Sequence, residues 1–591
     1  MSEQNVKIPK IITVGELAKK LEVSTASVVS ELMKNGVMAT INENIDFETA
    51  AIIAEYMGKT VEEDEGDKTA NKPSVGVNLK NVSSGEIRPP IVAVMGHVDH
   101  GKTRLLDAIR KTNVMEKEAG GITQQINSYQ VEYDKRKITF VDTPGHSAFE
   151  EMRTHGAKIT DIVLIIIAAD DGIKPQTLEA INHAKKAETP MIMVINKIDK
   201  PGADVNRVLQ QLTEIGYVPE EWGGKTIVAK ISAKMGQGIN ELLDLILLVA
   251  DMIELRAEKN APATGVVVES RKDIGKGPLA RVLVLNGTLH NGDFVQIGEI
   301  FCRVRSMEDF NLKHIKEATP SMPVLISGMK EVAKVGELFT VFDDEKEAKK
   351  ACEEYRSTTE AKKYSNVKKI NLESITKSIA LGEAKEFALV VKADRQGSLD
   401  AIIQALEKFS TPEVIVKVVS ASTGEITESD IMMARTASKL IVAFNIQAHS
   451  LISTMAKNEG VKISVYRIIY ELLDDIKTAV EELLPPKYIE LTNGKLEIIQ
   501  IFSKNKKLTV LGGRVTDGKI EKGPKVRVER NGEEIGTAKV LTLQRGKDEV
   551  KECQIGSECG LAVEVNVDLE PKDILVFYTV EQQKQTLDIK I

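Results

Sequence analysis

Gly96-His97-Val98-Asp99-His100-Gly101-Lys102-Thr103 has the spacing G-x-x-x-x-G-K-[ST], the pattern of a loop that wraps a polyphosphate in backbone amides. The glycines let N–H groups turn toward the phosphates, Lys102 is placed to neutralise the β- and γ-phosphates, and the Thr103 hydroxyl is placed to ligate Mg²⁺. The apolar run IVAVMG precedes the loop and the helical pattern RLLDAIRK follows it, which is the strand–loop–helix setting the motif needs. His97 and His100 also suggest a metal-binding pair, but their position inside the loop speaks for the phosphate role.

Further along, a second buried-strand pattern ends in TFVDTPGH. Asp142 stands at the strand end, where a carboxylate holds Mg²⁺ through water, and Thr143, Pro144 and Gly145 lead away from it, with the Gly145 N–H available to a γ-phosphate. His146 comes next, positioned to orient an attacking water, and is the candidate catalytic residue. Thr123, in AGGITQQ between the loop and Asp142, is the natural second Mg²⁺ hydroxyl, on a segment that orders when the γ-phosphate is present.

Asn196-Lys197-Ile198-Asp199 ends the apolar run MIMVI, and Ser232-Ala233-Lys234 ends VAKI. A carboxylate at Asp199 accepts from both N1–H and the 2-amino group of guanine. Adenine lacks that donor pair and leaves the carboxylate unmatched. The alkyl stems of Lys197 and Lys234 suit the two faces of the base, and a backbone N–H near Ala233 suits O6. These elements, in this order at strand ends, predict a GTP-hydrolysing switch that uses GTP/GDP and Mg²⁺.

The elements that must position these residues follow from periodicity. Residues 1–59 read as an N-terminal helical domain, with Leu17, Leu21, Val28, Leu32 and Met33 at helical spacing and Ser24 as a cap. Few basic residues lie on it, so it fits a helical appendage better than a DNA-reading helix-turn-helix. Residues 60–86, with EEDEGD, read as a flexible acidic linker. Strands and helices alternate over 87–258, predicting a P-loop GTPase domain of doubly wound α/β form.

Residues 259–345 and 487–591 read as two antiparallel β-barrels. VLNGTLHNGD in the first and VTDGKIEKGP in the second share a strand, an Asn/Asp-Gly hairpin turn, a second strand and a glycine turn. Between them come a helical connector at 346–365, an α/β/α sandwich domain at 366–464 and a connecting helix at 465–486 that stops at Pro485-Pro486. The fold class is therefore multidomain α/β plus β-barrels.

Composition narrows the partners. With 79 Lys+Arg against 87 Asp+Glu the chain is not a basic nucleic-acid coat, and one Trp and 4% aromatics argue against a surface built on base or sugar stacking. Residues 495–551 nevertheless carry fourteen Lys/Arg and eight Asp/Glu, a local surplus of six positive charges that favours phosphate contacts. Cys302, Cys352, Cys553 and Cys559 are too few and scattered for a disulfide framework or zinc ribbon and read as free thiols in a reducing cytosol. MSEQNVKIPK lacks a signal-peptide core, and the apolar run at 162–169 is far short of the ~20 residues a membrane span needs, so the expectation is a cytoplasmic protein with no membrane partner.

GHVDHGKT, GGITQ, DTPGH, NKID, SAK and VPEEWGG, followed by KADRQGSLDAI, ITESDI, RVTDGKI, KDEVKE and ECGL, resemble the bacterial translation initiation factor two family of translational GTPases. The likeness covers about residues 12–57 and 88–580. It implies a monomeric factor that brings formylmethionyl initiator tRNA to the small ribosomal subunit, promotes joining of the large subunit and hydrolyses GTP on the ribosome, with other initiation factors as further partners. It also implies a tRNA-end pocket in the last barrel, where Arg545 and the Glu558-Cys559-Gly560 stretch match. Gly513, Gln544 and Gly546 differ there from the family's usual Cys, Lys and aromatic, and Gln125, Asn127 and Arg104 differ from the usual His, Gly and Thr around the phosphate site. The rival readings are another translational GTPase, such as an elongator or ribosome-assembly factor, and a scaffold that binds GTP without turnover.

Overall fold

The computed structural model describes residues 6–8, 11–21, 23–34, 44–57, 59, 61–63, 85–112, 123–145, 149–367, 385–504, 508–523, 525–546 and 548–587. The chain divides into two compact units. One holds residues 1–376, 393–401 and 422–425; the other holds 377–392, 402–421 and 426–591.

In the N-terminal segment, Val14, Leu17, Ala18 and Leu21 recur at helical spacing and line the inner face of helix Val14–Leu21. They share a core with Val28, Leu32, Ile45, Ala50, Ile53 and Ala54 from the helices Thr25–Lys34 and Phe47–Tyr56 and their connection. Ser24 caps the second helix, its Oγ accepting the Ser27 N–H at 3.2 Å. The segment is not purely helical: Ile11–Thr13 pairs with Asn44–Asp46, and Val6–Ile8 pairs in parallel with Val61–Glu63. Both ends of the expected linker are thus strands, because Glu86–Ile87 also pairs with Arg256–Ala257; residues 64–84 lie outside the described residues.

The nucleotide domain is built on a sheet of strands β1 (Ile91–Gly96), β2 (Asn127–Tyr133), β3 (Arg136–Asp142), β4 (Ile162–Ala168), β5 (Met191–Asn196) and β6 (Ile227–Lys230), in the order β6-β5-β4-β1-β3-β2. Every pairing is parallel except β2 with β3. The helices are α1 (Lys102–Arg110), α2 (Glu150–Ile159), α3 (Pro175–Lys186), α4 (Val205–Glu214) and α5 (Ile239–Ile253). A strand turns successive side chains to opposite faces, so the uninterrupted apolar runs feed two cores. Val92, Val94, Leu164, Ile166 and Val194 pack with Leu105 of α1 and Leu242, Leu243 and Ile246 of α5. Their neighbours Ala93, Met95, Val163, Ile165 and Ile195 pack with Ala180 and Ile181 of α3 and Val208 and Leu212 of α4. Covered on both faces, the sheet leaves its carboxyl edge as the place where loops can meet a ligand.

The first barrel closes six strands, Thr264–Asp273, Gly277–Asn286, Phe294–Ile297, Ile300–Glu308, Pro323–Met329 and Leu338–Phe342, with the 294–297 and 300–308 pairing completing the ring. Strands Lys487–Lys504, Leu508–Glu521, Lys525–Arg530, Glu533–Arg545, Glu558–Val565 and Ile574–Gln583 close the second in the same way. Neither glycine of the repeated sequence makes the expected hairpin. In the first barrel Gly287 (φ +75°) follows the strand 277–286, and Leu289–His290 then pairs with Glu317–Ala318. In the second, the strand 508–521 runs through Gly518 (φ +60°), and Lys519–Glu521 turn to pair with Glu552–Gln554. The repeat therefore encodes a strand that changes partner at a left-handed glycine, with the next turn at Gly292 (φ +99°) or Gly523 (φ +120°).

A buried cluster fixes the nucleotide domain to the first barrel. Arg88 donates from both terminal nitrogens to Asp161 at 2.7 Å and from one of them to Ser321 Oγ at 3.3 Å. The Ser321 hydroxyl donates to the Pro89 carbonyl at 2.6 Å, and its carbonyl accepts from Thr139 Oγ1 of β3 at 2.5 Å.

Helix Glu345–Val367 occupies the expected connector. The next sheet has the order Val414–Thr423, Lys385–Ala393, Leu440–Phe444, Lys462–Tyr466 and carries helices Gln396–Glu407, Glu428–Ala437 and Ser450–Asn458. Helix Ile469–Leu483 buries Ile469, Leu472, Leu473, Ile476 and Val480, so it is packed along one face rather than bare. All four cysteines are free and buried. Among the described residues no helix is long and apolar enough to cross a membrane.

Candidate guanine-nucleotide site

The expected phosphate loop joins β1 to α1 across two glycines that tolerate no side chain. Gly96 (φ +139°) would place a Cβ 2.4 Å from the Ile166 carbonyl oxygen of β4, and Gly101 (φ +91°) would place one 2.4 Å from Asn196 Nδ2. Asp99 also takes a positive φ of 63°, so the loop curls back toward the start of α1. Lys102 folds over this curl, donating to the Gly96 carbonyl at 2.9 Å and the His97 carbonyl at 2.8 Å. Burial lowers its pKa to about 8, the Asp142 carboxylate opposing the shift. At Gly145 a Cβ would lie 2.4 Å from Lys102 Nζ, so glycine lets the DTPG segment approach the lysine. Thr143 anchors that segment by donating to the Val94 carbonyl of β1 at 2.9 Å, and Pro144 is buried beside it.

The three expected Mg²⁺ ligands converge. Thr103 Oγ1 and Thr123 Oγ1 are 2.7 Å apart, and Thr123 Oγ1 donates to Asp142 Oδ2 at 3.4 Å. His146, the catalytic candidate, lies outside the described residues.

Asn196, at the end of β5, spans the site. Its Nδ2 donates to the His100 carbonyl at 2.9 Å and its Oδ1 accepts the Ala233 N–H at 3.0 Å, tying the phosphate loop to the base loop. The Ala233 amide is therefore committed to Asn196 rather than to a base. Ser232 Oγ donates to Asp199 Oδ1 at 2.6 Å and accepts the Met235 N–H at 3.1 Å. That hydrogen bond, helped by Lys234 and Arg104, holds the Asp199 carboxyl below its ordinary range. Asp199 and Lys234 are exposed, and Lys197 (φ +63°) and Ile198 are half-buried, so the carboxylate is open to a ligand.

Sequence reasoning missed several positioning residues. Gln176 in the first turn of α3 accepts from Val98 N at 3.2 Å and meets His97 Nδ1 at 2.5 Å. Within the first unit, Gln125 Nε2 donates to Asp394 Oδ2 at 2.7 Å, two residues beyond Thr123, and Arg395 pairs with Glu269 of the barrel. Gln176 and Glu269 belong to no motif, and although Gln125 lies in AGGITQQ and Asp394 and Arg395 lie in KADRQGSLDAI, only contact across elements reveals their partners.

In the last barrel Arg545 and Glu558 are exposed on neighbouring strands, since Gln544 pairs with Gly560. Glu558 also lies 3.7 Å from Arg514. The departure at Gly513 has a steric reason: a Cβ there would lie 2.3 Å from Leu496 Cδ2 and 2.6 Å from the Glu497 carbonyl oxygen. Gly546 takes φ +67°, a turn conformation that disfavours an aromatic residue. Part of the local positive surplus is balanced in place, with Lys504, Arg514, Lys519, Lys522, Arg527 and Arg530 each in an ion pair.

Four segments of the chain match known protein families. Residues 88–251 match the Elongation factor Tu GTP binding domain, 262–342 match Elongation factor G domain 2, 361–477 match Translation-initiation factor 2, and 9–60 match the Translation initiation factor IF-2 N-terminal region. The chain is 47% identical to translation initiation factor IF-2 of Carboxydothermus hydrogenoformans, with 99% of this chain and 70% of that one covered. It is 45% identical to the factor of Caldanaerobacter subterraneus subsp. tengcongensis, covering 98% and 82%. Against the factor of Pelotomaculum thermopropionicum it is also 45% identical but spans 60% of that protein's length. The crystal structure of GDP-bound aIF5B from Aeropyrum pernix is 25% identical, covering 83% of this chain and 92% of that one at a TM-score of 0.43.

Proposed function

The chain belongs to the translation initiation factor IF-2 family of GTPases, and on that footing we propose that it carries formylmethionyl initiator tRNA to the small ribosomal subunit in a GTP-dependent complex and promotes joining of the large subunit. Hydrolysis on the assembled ribosome then releases it. It acts as a cytoplasmic monomer, alongside other initiation factors.

The observation that carries the reading is the meeting of Thr103, Thr123 and Asp142 beside Lys102. Two hydroxyls and a carboxylate make an all-oxygen donor set of the kind that suits Mg²⁺. These residues would hold the ion, which would supply neutralisation of the phosphate charge. Lys102 exchanges its two carbonyl acceptors for phosphate oxygens, and the Gly145 N–H meets the γ-phosphate. Thr123 already meets Thr103 and Asp142, and a bound γ-phosphate would add to what holds it there, which makes its segment the sensor. His146 orients the water that attacks the γ-phosphorus as the bond to the β-γ bridging oxygen breaks.

Asp199, already ionised and oriented by Ser232, accepts from N1–H and the 2-amino group of guanine, and the stems of Lys197 and Lys234 flank the ring. With Ala233 N–H held by Asn196, the Lys234 amide is left to meet O6. Arg545 and Glu558 receive the aminoacyl end of the tRNA. Binding of charged initiator tRNA, formylated against unformylated, tests this assignment. Loss of the preference in Arg545→Ala and Glu558→Ala is expected, and unchanged binding in both would remove the last barrel from the account.

A further inference from the structure

The two histidines of the phosphate loop have a relationship to Asp171 that nucleotide binding does not use. One ligand atom from each of His97, His100 and Asp171 lies within 4.8 Å of the others. The three come from separate elements: the histidines from the β1–α1 loop, and Asp171 from the turn after β4.

Hydrogen bonds fix the ring tautomers. Gln176 Oε1 accepts the Val98 N–H at 3.2 Å, so it is an acceptor, and His97 Nδ1 at 2.5 Å from the same oxygen must be the donor. That leaves His97 Nε2 as a bare lone pair. His100 faces acceptors at both nitrogens, Ile166 O at 3.2 Å from Nδ1 and Asp171 Oδ2 at 3.4 Å from Nε2. A neutral ring donates to one of them only. The Ile166 carbonyl is in the sheet core, whereas the Asp171 carboxylate is exposed and already paired with Lys174 at 2.8 Å, so the proton goes to the carbonyl. Charging the ring would satisfy both sides, but burial opposes it and lowers the His100 pKa to about 4.

A ring nitrogen of each histidine and a carboxylate oxygen therefore come together, with His97 Nδ1 tied to Gln176 and His100 Nδ1 to the Ile166 carbonyl. That is the arrangement that orients histidine for a metal. We infer that His97 and His100, through their Nε2 atoms, and Asp171 form a site for a borderline divalent transition metal of the Zn²⁺ or Co²⁺ class, distinct from the all-oxygen Mg²⁺ corner. His100 Nε2 and Asp171 Oδ2, 3.4 Å apart, already stand at the ligand spacing of a tetrahedron with metal–nitrogen bonds of ~2.0–2.1 Å, and a separation at the 4.8 Å limit would need to close by roughly 1.5 Å. The exposed Asp171 side provides the entry path and an open coordination position for water.

The test is titration of the untagged, nucleotide-free full chain with Co²⁺, read by visible ligand-field absorption and followed by displacement with Zn²⁺. One equivalent should bind with an intense band of low coordination number. Asp171→Ala should weaken binding at least about tenfold while leaving GDP affinity intact, which also shows that the variant is folded. His97→Ala should abolish the band. Absence of a saturable one-equivalent band, or the same band and affinity in Asp171→Ala, would overturn the site.

Discussion

The hydroxyl oxygens of Thr103 and Thr123 lie 2.7 Å apart although twenty residues separate them in the chain. One hydroxyl begins α1 and the other precedes β2, and Asp142 at the end of β3 completes the cluster. With Thr123 proposed as a ligand of the ion that GTP engages, Thr123→Ala should weaken GTP about tenfold or more and GDP much less. Affinity for the two nucleotides measured with and without Mg²⁺ checks this, and the selectivity for GTP should vanish when the ion is removed.

Asn196 gives a second expectation. Its side chain satisfies the buried His100 carbonyl and the Ala233 N–H together. Asn196→Ala leaves both unpaired, at a cost of about 1–3 kcal/mol each. The urea midpoint should fall accordingly, and GDP affinity should drop by more than tenfold because the phosphate and base loops lose their tie.

Nucleotide affinity should depend on pH through Lys102. In the free protein its pKa is lowered to about 8 by burial, and phosphate oxygens raise it again on binding. Below pH 8 the ammonium is already formed and affinity is flat. Above pH 8 binding must take up a proton, so affinity should fall by about tenfold per pH unit. Calorimetric titration with GDP in buffers of different ionisation enthalpy reads the proton uptake directly, and Lys102→Ala should lose both the pH dependence and most of the affinity.

Arg88 and Asp161 predict the strength of the joint between the nucleotide domain and the first barrel. Their side chains are 3% and 2% exposed. Arg88→Ala would leave the Asp161 carboxylate buried without its cation, a loss of about 3–5 kcal/mol. Thermal unfolding should show the nucleotide domain destabilised, with GDP binding recovered at low temperature.

The chemistry was more legible in the sequence than the architecture that holds it. Each nucleotide motif is a short stretch at a strand end, so spacing alone named Lys102, Thr103, Asp142 and Asp199 and placed them on one edge. What stayed hidden depends on contacts between distant elements. Gln176 and Arg88 carry no motif, and their roles appear only when α3 meets the loop and Ser321 meets the sheet. Asn-Gly and Asp-Gly do not distinguish a hairpin from a strand bend, because a left-handed glycine serves both equally well. The pairing of 519–521 with 552–554 decides between them. The short strands at 61–63 and 86–87 leave no mark in the sequence because two- and three-residue strands carry too little periodicity to register.

The most direct measurement is phosphate release from GTP by the intact chain, alone and with ribosomal subunits, in the wild type and in His146→Ala. Slow turnover is expected for the chain alone, with acceleration by about two or more orders of magnitude when both subunits are present, and loss of that acceleration in His146→Ala with GTP affinity retained. Turnover that ignores the ribosome, or a His146→Ala chain that responds to it as the wild type does, would contradict a ribosome-triggered switch centred on this site.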